Sequence, residues 1–354
     1  MNILFLLPYP LTQSPSQRFR FEQYFNTLGK EAISCRAQSF FDESTYEILY
    51  TKGDFIKKAL AIMKGYFRRT IVLLKLLNVS YIFVHREITP FGPPIFEWLI
   101  AKVFRKKIIY DFDDAIWMPQ EGYGSKVKNL LKNPYKVNSI IKWSYKVSCG
   151  NEYLCNHARK YNKNVVLNPT TIDTINLHNK IKNQASSRIV IGWTGSHSTL
   201  MYLDPIVPVI ARLEKEFEFD FIVICNKNPE YSLRSFKFIP WNKDSEIDDL
   251  LLFNFGLMPL IKDKWTEGKC GFKALQYMAL GMPAVVSPVG VNKVIVDNGV
   301  DGFCCQIDEE WYTAIKTLIL SESIRTKMGK NAREKIVKYY SVESNKDNFL
   351  TLFS

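Results

Sequence analysis

The sequence contains seven cysteines but no Cys-x-x-Cys pair. An odd number cannot all pair within one chain, and the adjacent Cys304 and Cys305 are poorly placed to bond each other. The cysteines therefore read as reduced, mostly buried thiols of a cytoplasmic protein and not as a disulfide framework. No uncharged apolar run approaches the roughly 20 residues that a membrane span needs. The opening run, Met1 to Pro8, has no basic n-region and too short an apolar core for a signal peptide. Low-complexity tracts and short repeats are missing as well, which excludes linker-dominated and solenoid classes.

What is present is apolar mass and positive charge. Apolar residues make up 47% of 354 positions, enough for two ordinary domains with large cores. The formal net charge of +12 favours an anionic partner: a nucleotide, an anionic membrane surface or a nucleic acid. No stretch interleaves aromatics with bases as a single-strand groove does, so no nucleic-acid partner is expected.

Short apolar strands alternate with helical segments along both halves, the pattern of an α/β fold with parallel sheets. Asn2–Leu7 reads as the first buried strand, followed by a loop rich in Ser, Thr and Pro and a helix opening at Arg18. Tyr81–Val84 and Lys107–Tyr110 are further strands; His85, Arg86 and Glu87 follow the first, Asp111, Asp113 and Asp114 the second. In doubly wound sheets the residues just past strand C-termini line the ligand crevice. The run Asp111-Phe112-Asp113-Asp114 leaves several roles open: metal binding, an aspartate nucleophile, positioning of a sugar hydroxyl, or helix capping. No hydroxyl residue follows Asp114, where Ala115-Ile116 stand, and this counts against the nucleophile.

Phe55–Leu77 reads as an amphipathic helix. Lys57, Lys64, Arg68 and Lys75 fall on one line; Ile56, Leu60, Met63, Phe67, Ile71 and Leu74 fall roughly 100° away. Two roles fit: a helix packed through its apolar face with a solvated basic stripe, or a basic stripe resting on anionic headgroups.

The polar stretch Thr174–Ser187 reads as a linker, after which the pattern restarts. Domains of 1–185 and 186–340 are expected, with a final helix, 341–354, packing back on the first. Gly192-Trp193-Thr194-Gly195-Ser196 sits between a strand and a helix, where glycines admit a close ligand. It is neither a P-loop nor a dinucleotide fingerprint. Glu267–Gly290 reads as loop, helix, turn and buried strand. Lys269, Gly271, Phe272 and Lys273 stand at the helix start, where backbone amides and two ammonium groups suit a phosphate or diphosphate. Trp241, past a strand end, either walls a base pocket or packs in the core.

Five segments, IGWTGSHSTL (191–200), FIPWNKDSEIDDL (238–250), GLMPL (256–260), GKCGFKALQYMALGMPAVVSPVG (268–290) and DNGVDGF (297–303), resemble GT-B-fold glycosyltransferases, in particular glycosyltransferase family 4. In the first half, REITPFGPP and YDFDDAIW resemble one branch of that family. The resemblance implies two Rossmann-like domains facing across a cleft, and transfer of a sugar from a nucleotide-diphosphate donor with retention at the anomeric carbon. It implies no catalytic metal or cofactor. The acceptor is then a glycan, lipid-linked or other envelope molecule, and many relatives are peripheral on membranes. Donor contacts fall on Gly192, Thr194, Gly195, Ser196, Lys227, Trp241, Gly271, Phe272 and Gln276. Lys269 and Lys273 take the place of the family's diphosphate-clamping arginine and lysine. Asp113 aligns with the family's cleft histidine; Arg18, Arg86, Glu87 and Asp111 fall on the acceptor side. Gln276 stands where the family's signature has its second glutamate, and Gly268, with Glu267 beside it, where it has the first. A nucleotide-sugar epimerase of the same fold and a non-catalytic nucleotide-sugar scaffold are the alternatives.

Overall fold

The computed structural model describes residues 1–49, 53–119 and 125–354. They form two compact units: Met1–Thr170 with Lys346–Ser354, and Thr171–Asn345.

The first unit is built on β1 (Asn2–Leu7), β2 (Ser34–Ser39), β3 (Tyr81–His85), β4 (Lys107–Phe112), β5 (Lys146–Cys149) and β6 (Val165–Leu167). Their order is β2-β1-β3-β4-β5-β6, and every pairing is parallel. The chain turns outward from β1 in both directions, so β1 and β3 flank the topological switch point. Phe5, Phe21 and Phe83 pack there with ring centroids 5.0–5.5 Å apart. The C-terminal segment seals the same core: Phe349 stacks on Tyr24 at 4.1 Å. Its helix is shorter than 341–354, running only over Lys346–Leu350 with a 3-10 turn after it. Ser341 is held outside that helix by a bridge to Ile172, and its hydroxyl caps Ser344 N.

The long helix α1 (Phe55–Leu73) departs from the packed-helix expectation. Its buried face is Ala61, Gly65, Arg69 and Val72. Gly65 lies so close to Phe40 that a Cβ would stand 2.5 Å from the ring. Arg69 reaches through the gap and donates to the carbonyls of Leu7, Gln38 and Ile88. Small residues and one arginine thus make the contact, and Ile56, Leu60, Met63, Phe67 and Leu74 are left exposed.

The second unit contains β7 (Ile189–Gly195), β8 (Phe219–Cys225), β9 (Phe236–Pro240), β10 (Phe255–Met258), β11 (Ala284–Val286) and β12 (Gly302–Cys304). The sheet is parallel, ordered β12-β11-β10-β7-β8-β9, with its switch between β7 and β10. Trp193, Phe221, Val223 and Leu257 form its buried centre. The stretch Thr174–Ser187 belongs wholly to this unit. Its side chains are tied down: Gln184 bonds Asn254 O and Arg325, and Lys182 donates to Leu251 O. Helix α2 (Phe272–Ala279) lies over β10 and β11. Gly281 ends it at φ +72°, with Met282 N reaching back to Tyr277 O at 3.1 Å, the closure a left-handed glycine allows.

Candidate functional site

In the second unit the switch point gathers most of the expected donor residues. β7 carries Gly192 at its middle and Thr194 and Gly195 at its C-terminal end. No side chain fits at either glycine: a Cβ at Gly192 would lie 2.0 Å from Phe253, and one at Gly195 2.5 Å from Trp193. Thr194 N donates to Tyr277 Oη at 3.0 Å, which fixes the β7 loop against α2. Lys273, in the first turn of α2, stands over the Trp193 ring at 5.5 Å. Lys269 stands over Trp265 at 5.3 Å in the loop leading to the helix. Gly271 precedes α2 at φ +70°, with Ile295 2.1 Å from where a Cβ would be. The carboxylate of Glu267 is turned to the backbone and accepts from Gly290 N at 3.1 Å. Both lysines therefore border a loop whose backbone is tightly set, at a helix N-terminus that favours anions.

Ser196 and Lys227 are exposed at the ends of β7 and β8. Their loops are joined by the bond from His197 N to Asn226 Oδ1, 2.7 Å. Trp241 is half-buried just after β9, its amide held by Cys225 O. A cavity of about 410 Å³ opens at the ends of β10 and β11, with Leu260, Lys262, Ser287 and Trp311 in its wall. Gln276 differs from the expectation of an open ribose contact. It is 2% exposed, and its amide Nε2 is buried without a hydrogen-bond partner. Such a group is costly to leave unmade. Gln276→Met, which removes it at similar volume, is expected to keep or slightly raise the melting temperature while weakening nucleotide binding several-fold. Differential scanning fluorimetry with and without nucleotide measures both.

The first unit holds a second polar cluster, at its own switch point. Asp111, fully buried at the end of β4, accepts from Arg20 through two guanidinium nitrogens, from Ser148 Oγ at 2.6 Å and from His85 Nδ1 at 2.8 Å. Burial opposes its ionisation; the Arg20 guanidinium and His85 outweigh burial and hold it well below the usual carboxylate range. An ionised Asp111 only accepts, so His85 carries its proton on Nδ1 when neutral. Its Nε2 then accepts from Ser16 Oγ at 3.2 Å, in the loop after β1. The result is a Ser16–His85–Asp111 chain across the β1/β3 switch.

Asp113 and Asp114 share Arg86, at 2.7 and 2.6 Å. Burial raises the Asp113 pKa, but the adjacent guanidinium prevails and the carboxyl is held low. Arg86 has φ +60°, rare for a residue with a side chain and typical of strain kept at functional positions. Glu87 pairs with Lys136 at 2.9 Å. Arg18, expected to open a helix, instead ends the short helix Pro15–Arg18, its guanidinium over the Phe19 ring. All three carboxylates of Asp111–Asp114 are paired with arginine, Asp111 with Arg20 and the other two with Arg86. Among the described residues no group of three His, Cys, Asp or Glu is arranged as a metal site.

The sequence reading passed over Ser16, Tyr277 and Asn226. Tyr277 and Asn226 act through bonds to backbone amides, and Ser16 through His85 from a different strand; none of these carries a local signal.

Residues 230–335, which include both lysines and Gln276, match the family glycosyl transferases group 1. No curated protein matches the sequence. Among solved structures, sucrose-phosphate synthase from Thermosynechococcus elongatus is similar at TM-score 0.71 and 11% identity, over 99% of this chain and 98% of that one. A glycosyltransferase from Rickettsia africae matches at 0.71 and 12%, over 99% and 97%. Anabaena HepE, solved in complex with UDP and glucose, matches at 0.62 and 14%, over 99% and 98%. Residues 230–335 of the second unit thus carry a group 1 glycosyl transferase segment, and the two parallel six-stranded sheets have the GT-B fold.

Proposed function

We propose that this enzyme transfers a sugar, with retention at the anomeric carbon, from a nucleotide-diphosphate donor to a glycan, lipid-linked or other envelope acceptor. The observation that carries the donor assignment is the position of Lys269 and Lys273 beside the N-terminus of α2, at the switch point of the second sheet. Breaking the sugar–phosphate bond builds charge on the leaving diphosphate. Two ammonium groups and helix-start amides stabilise that charge with no metal required. The C-terminal end of β7 with Ser196 faces the donor's phosphate side, Lys227 and Trp241 border the nucleoside, and Gln276 lies buried behind them in α2. Anabaena HepE, solved with UDP-glucose, supports a nucleotide sugar as donor.

On the first unit, Asp113 and Arg86 border the acceptor, with Arg18 and Glu87 at the edge of the same strand ends. Asp111 is placed behind them as a positioning residue. The reading includes work at a membrane surface through segment 55–77, several of whose apolar side chains are exposed; among the described residues no helix is long and apolar enough to cross a membrane. A thermal-shift screen of nucleoside diphosphates tests the donor assignment. The enzyme is expected to gain several degrees with one of them, because a ligand that binds only the folded state stabilises it by mass action. No shift with any at millimolar concentration contradicts it.

A further inference from the structure

The exposed side of α1 is more apolar than a free surface tolerates. Ile56, Leu60, Met63, Phe67 and Leu74 are each more than half exposed, and Leu77 beyond the helix is 88% exposed. With a rotation of about 100° per residue they form one ridge, opposite the Ala61–Gly65–Val72 contact. Lys57, Lys64, Arg68 and Lys75 run along one shoulder of that ridge, between it and the protein.

Two further segments adjoin α1. Tyr66 on α1 donates to Phe91 O at 2.6 Å and packs against Phe96, ahead of exposed Ile95, Trp98, Val103 and Phe104. Gly92 N bonds Leu131 O at 2.7 Å, which ties in the helix Ser125–Lys132 with exposed Val127, Leu130 and Leu131. Lys106 Nζ holds Leu77 O at 3.0 Å, joining the far ends of the first two.

We propose that these three segments form one surface that inserts its apolar side chains into an anionic lipid bilayer, with the lysine shoulder at headgroup depth. This deepens the membrane part of the proposed function and rests on it: what binds is an apolar ridge, not a basic stripe alone. Charge selects the occupant. From Phe55 to Lys107 there are eleven Lys and Arg against two Glu, in a chain of net charge +12. A second copy would set two such surfaces against each other, and like charges would oppose pairing; an anionic bilayer neutralises them and accepts the ridge. Lys57 pairs with Asp54 in an exposed, weak pair that can reorient toward phosphates, while Lys64 and Arg68 share the half-buried Asp42.

The test is sedimentation of the full chain with vesicles of phosphatidylcholine, with and without 30 mol% phosphatidylglycerol (about a third anionic). Binding to the anionic vesicles is expected, with a fraction that persists at about 0.5 M salt, where screening leaves the apolar part. Met63→Glu/Phe67→Glu is expected to weaken binding at least tenfold with an unchanged melting temperature, because both side chains are exposed. Lys57→Gln/Lys75→Gln is expected to lose mainly the salt-sensitive part. Binding that vanishes in salt and ignores Met63→Glu/Phe67→Glu overturns ridge insertion. So does a lack of vesicle binding at low salt, and so does a dimer in sedimentation velocity that Met63→Glu/Phe67→Glu abolishes. Vesicle binding needs no donor, so its failure is separate from failure of the nucleotide screen.

Discussion

Lys273→Ala is expected to lower turnover by roughly 100-fold or more, the loss found when a charge-stabilising donor is removed from a developing oxyanion. The side chain is half-buried over Trp193 and belongs to the first turn of α2, so its removal leaves the helix and the sheet intact. The melting temperature is expected to stay within a few degrees of wild type, since the cation–π contact with Trp193 contributes about 0.5–1 kcal/mol. The nucleotide diphosphate is expected to bind more weakly, and the effect on kcat to exceed that on KM if the charge matters most as the bond breaks. Lys273→Arg keeps the charge and is expected to recover part of the rate. A wild-type rate in Lys273→Ala removes this lysine from the mechanism. Steady-state kinetics on the purified variants, with fluorimetry as the folding control, decides.

Asp111→Ala has the largest expected effect on stability. It leaves the guanidinium of Arg20, wholly buried, without its counter-charge, and His85 and Ser148 without their acceptor. Breaking one side of a buried ion pair costs about 3–5 kcal/mol. For a unit of this size that lowers the melting temperature by roughly 2–4 °C per kcal/mol. The pH dependence has a definite sign. The folded-state pKa of Asp111 is depressed, so its stabilising effect is full above the unfolded value near pH 4 and is lost only as pH falls toward the folded value. The variant is expected to lack that acid limb. A drop in melting temperature no larger than that of Asp114→Ala, whose carboxylate is partly exposed beside Arg86, contradicts the account.

The architecture was largely legible because buried parallel strands are written as continuous apolar runs: Tyr81–Val84, Phe221–Ile224 and Ala284–Val286 show no other pattern. β2 was not legible. Its sequence, Ser-Cys-Arg-Ala-Gln-Ser, belongs to an edge strand that is largely open to solvent, so neither run nor alternation marks it. The direction of α1 was left open for a related reason. Hydrophobic periodicity locates an apolar face but does not say whether protein or lipid covers it, and here the packing face is made of Ala61, Gly65 and Arg69. The phosphate-side residues stood out because glycine and lysine cluster within a few positions. In the polar core of the first unit His85 and Asp111 stood out as residues at strand ends, but their bonding with Arg20 and Ser148 did not, because the four come from separate elements and meet only in the fold. Gln276 shows the reverse: its position in the motif suggested an open contact, and the structure buries it.

The most direct measurement is release of nucleotide from a panel of UDP-, GDP- and ADP-sugars by the purified wild-type enzyme, with the sugar product followed by NMR. The account predicts slow release of nucleoside diphosphate from one donor even without acceptor, with the sugar's configuration retained at the anomeric carbon. Binding with no turnover of any donor, or inversion at the sugar's second carbon, contradicts it.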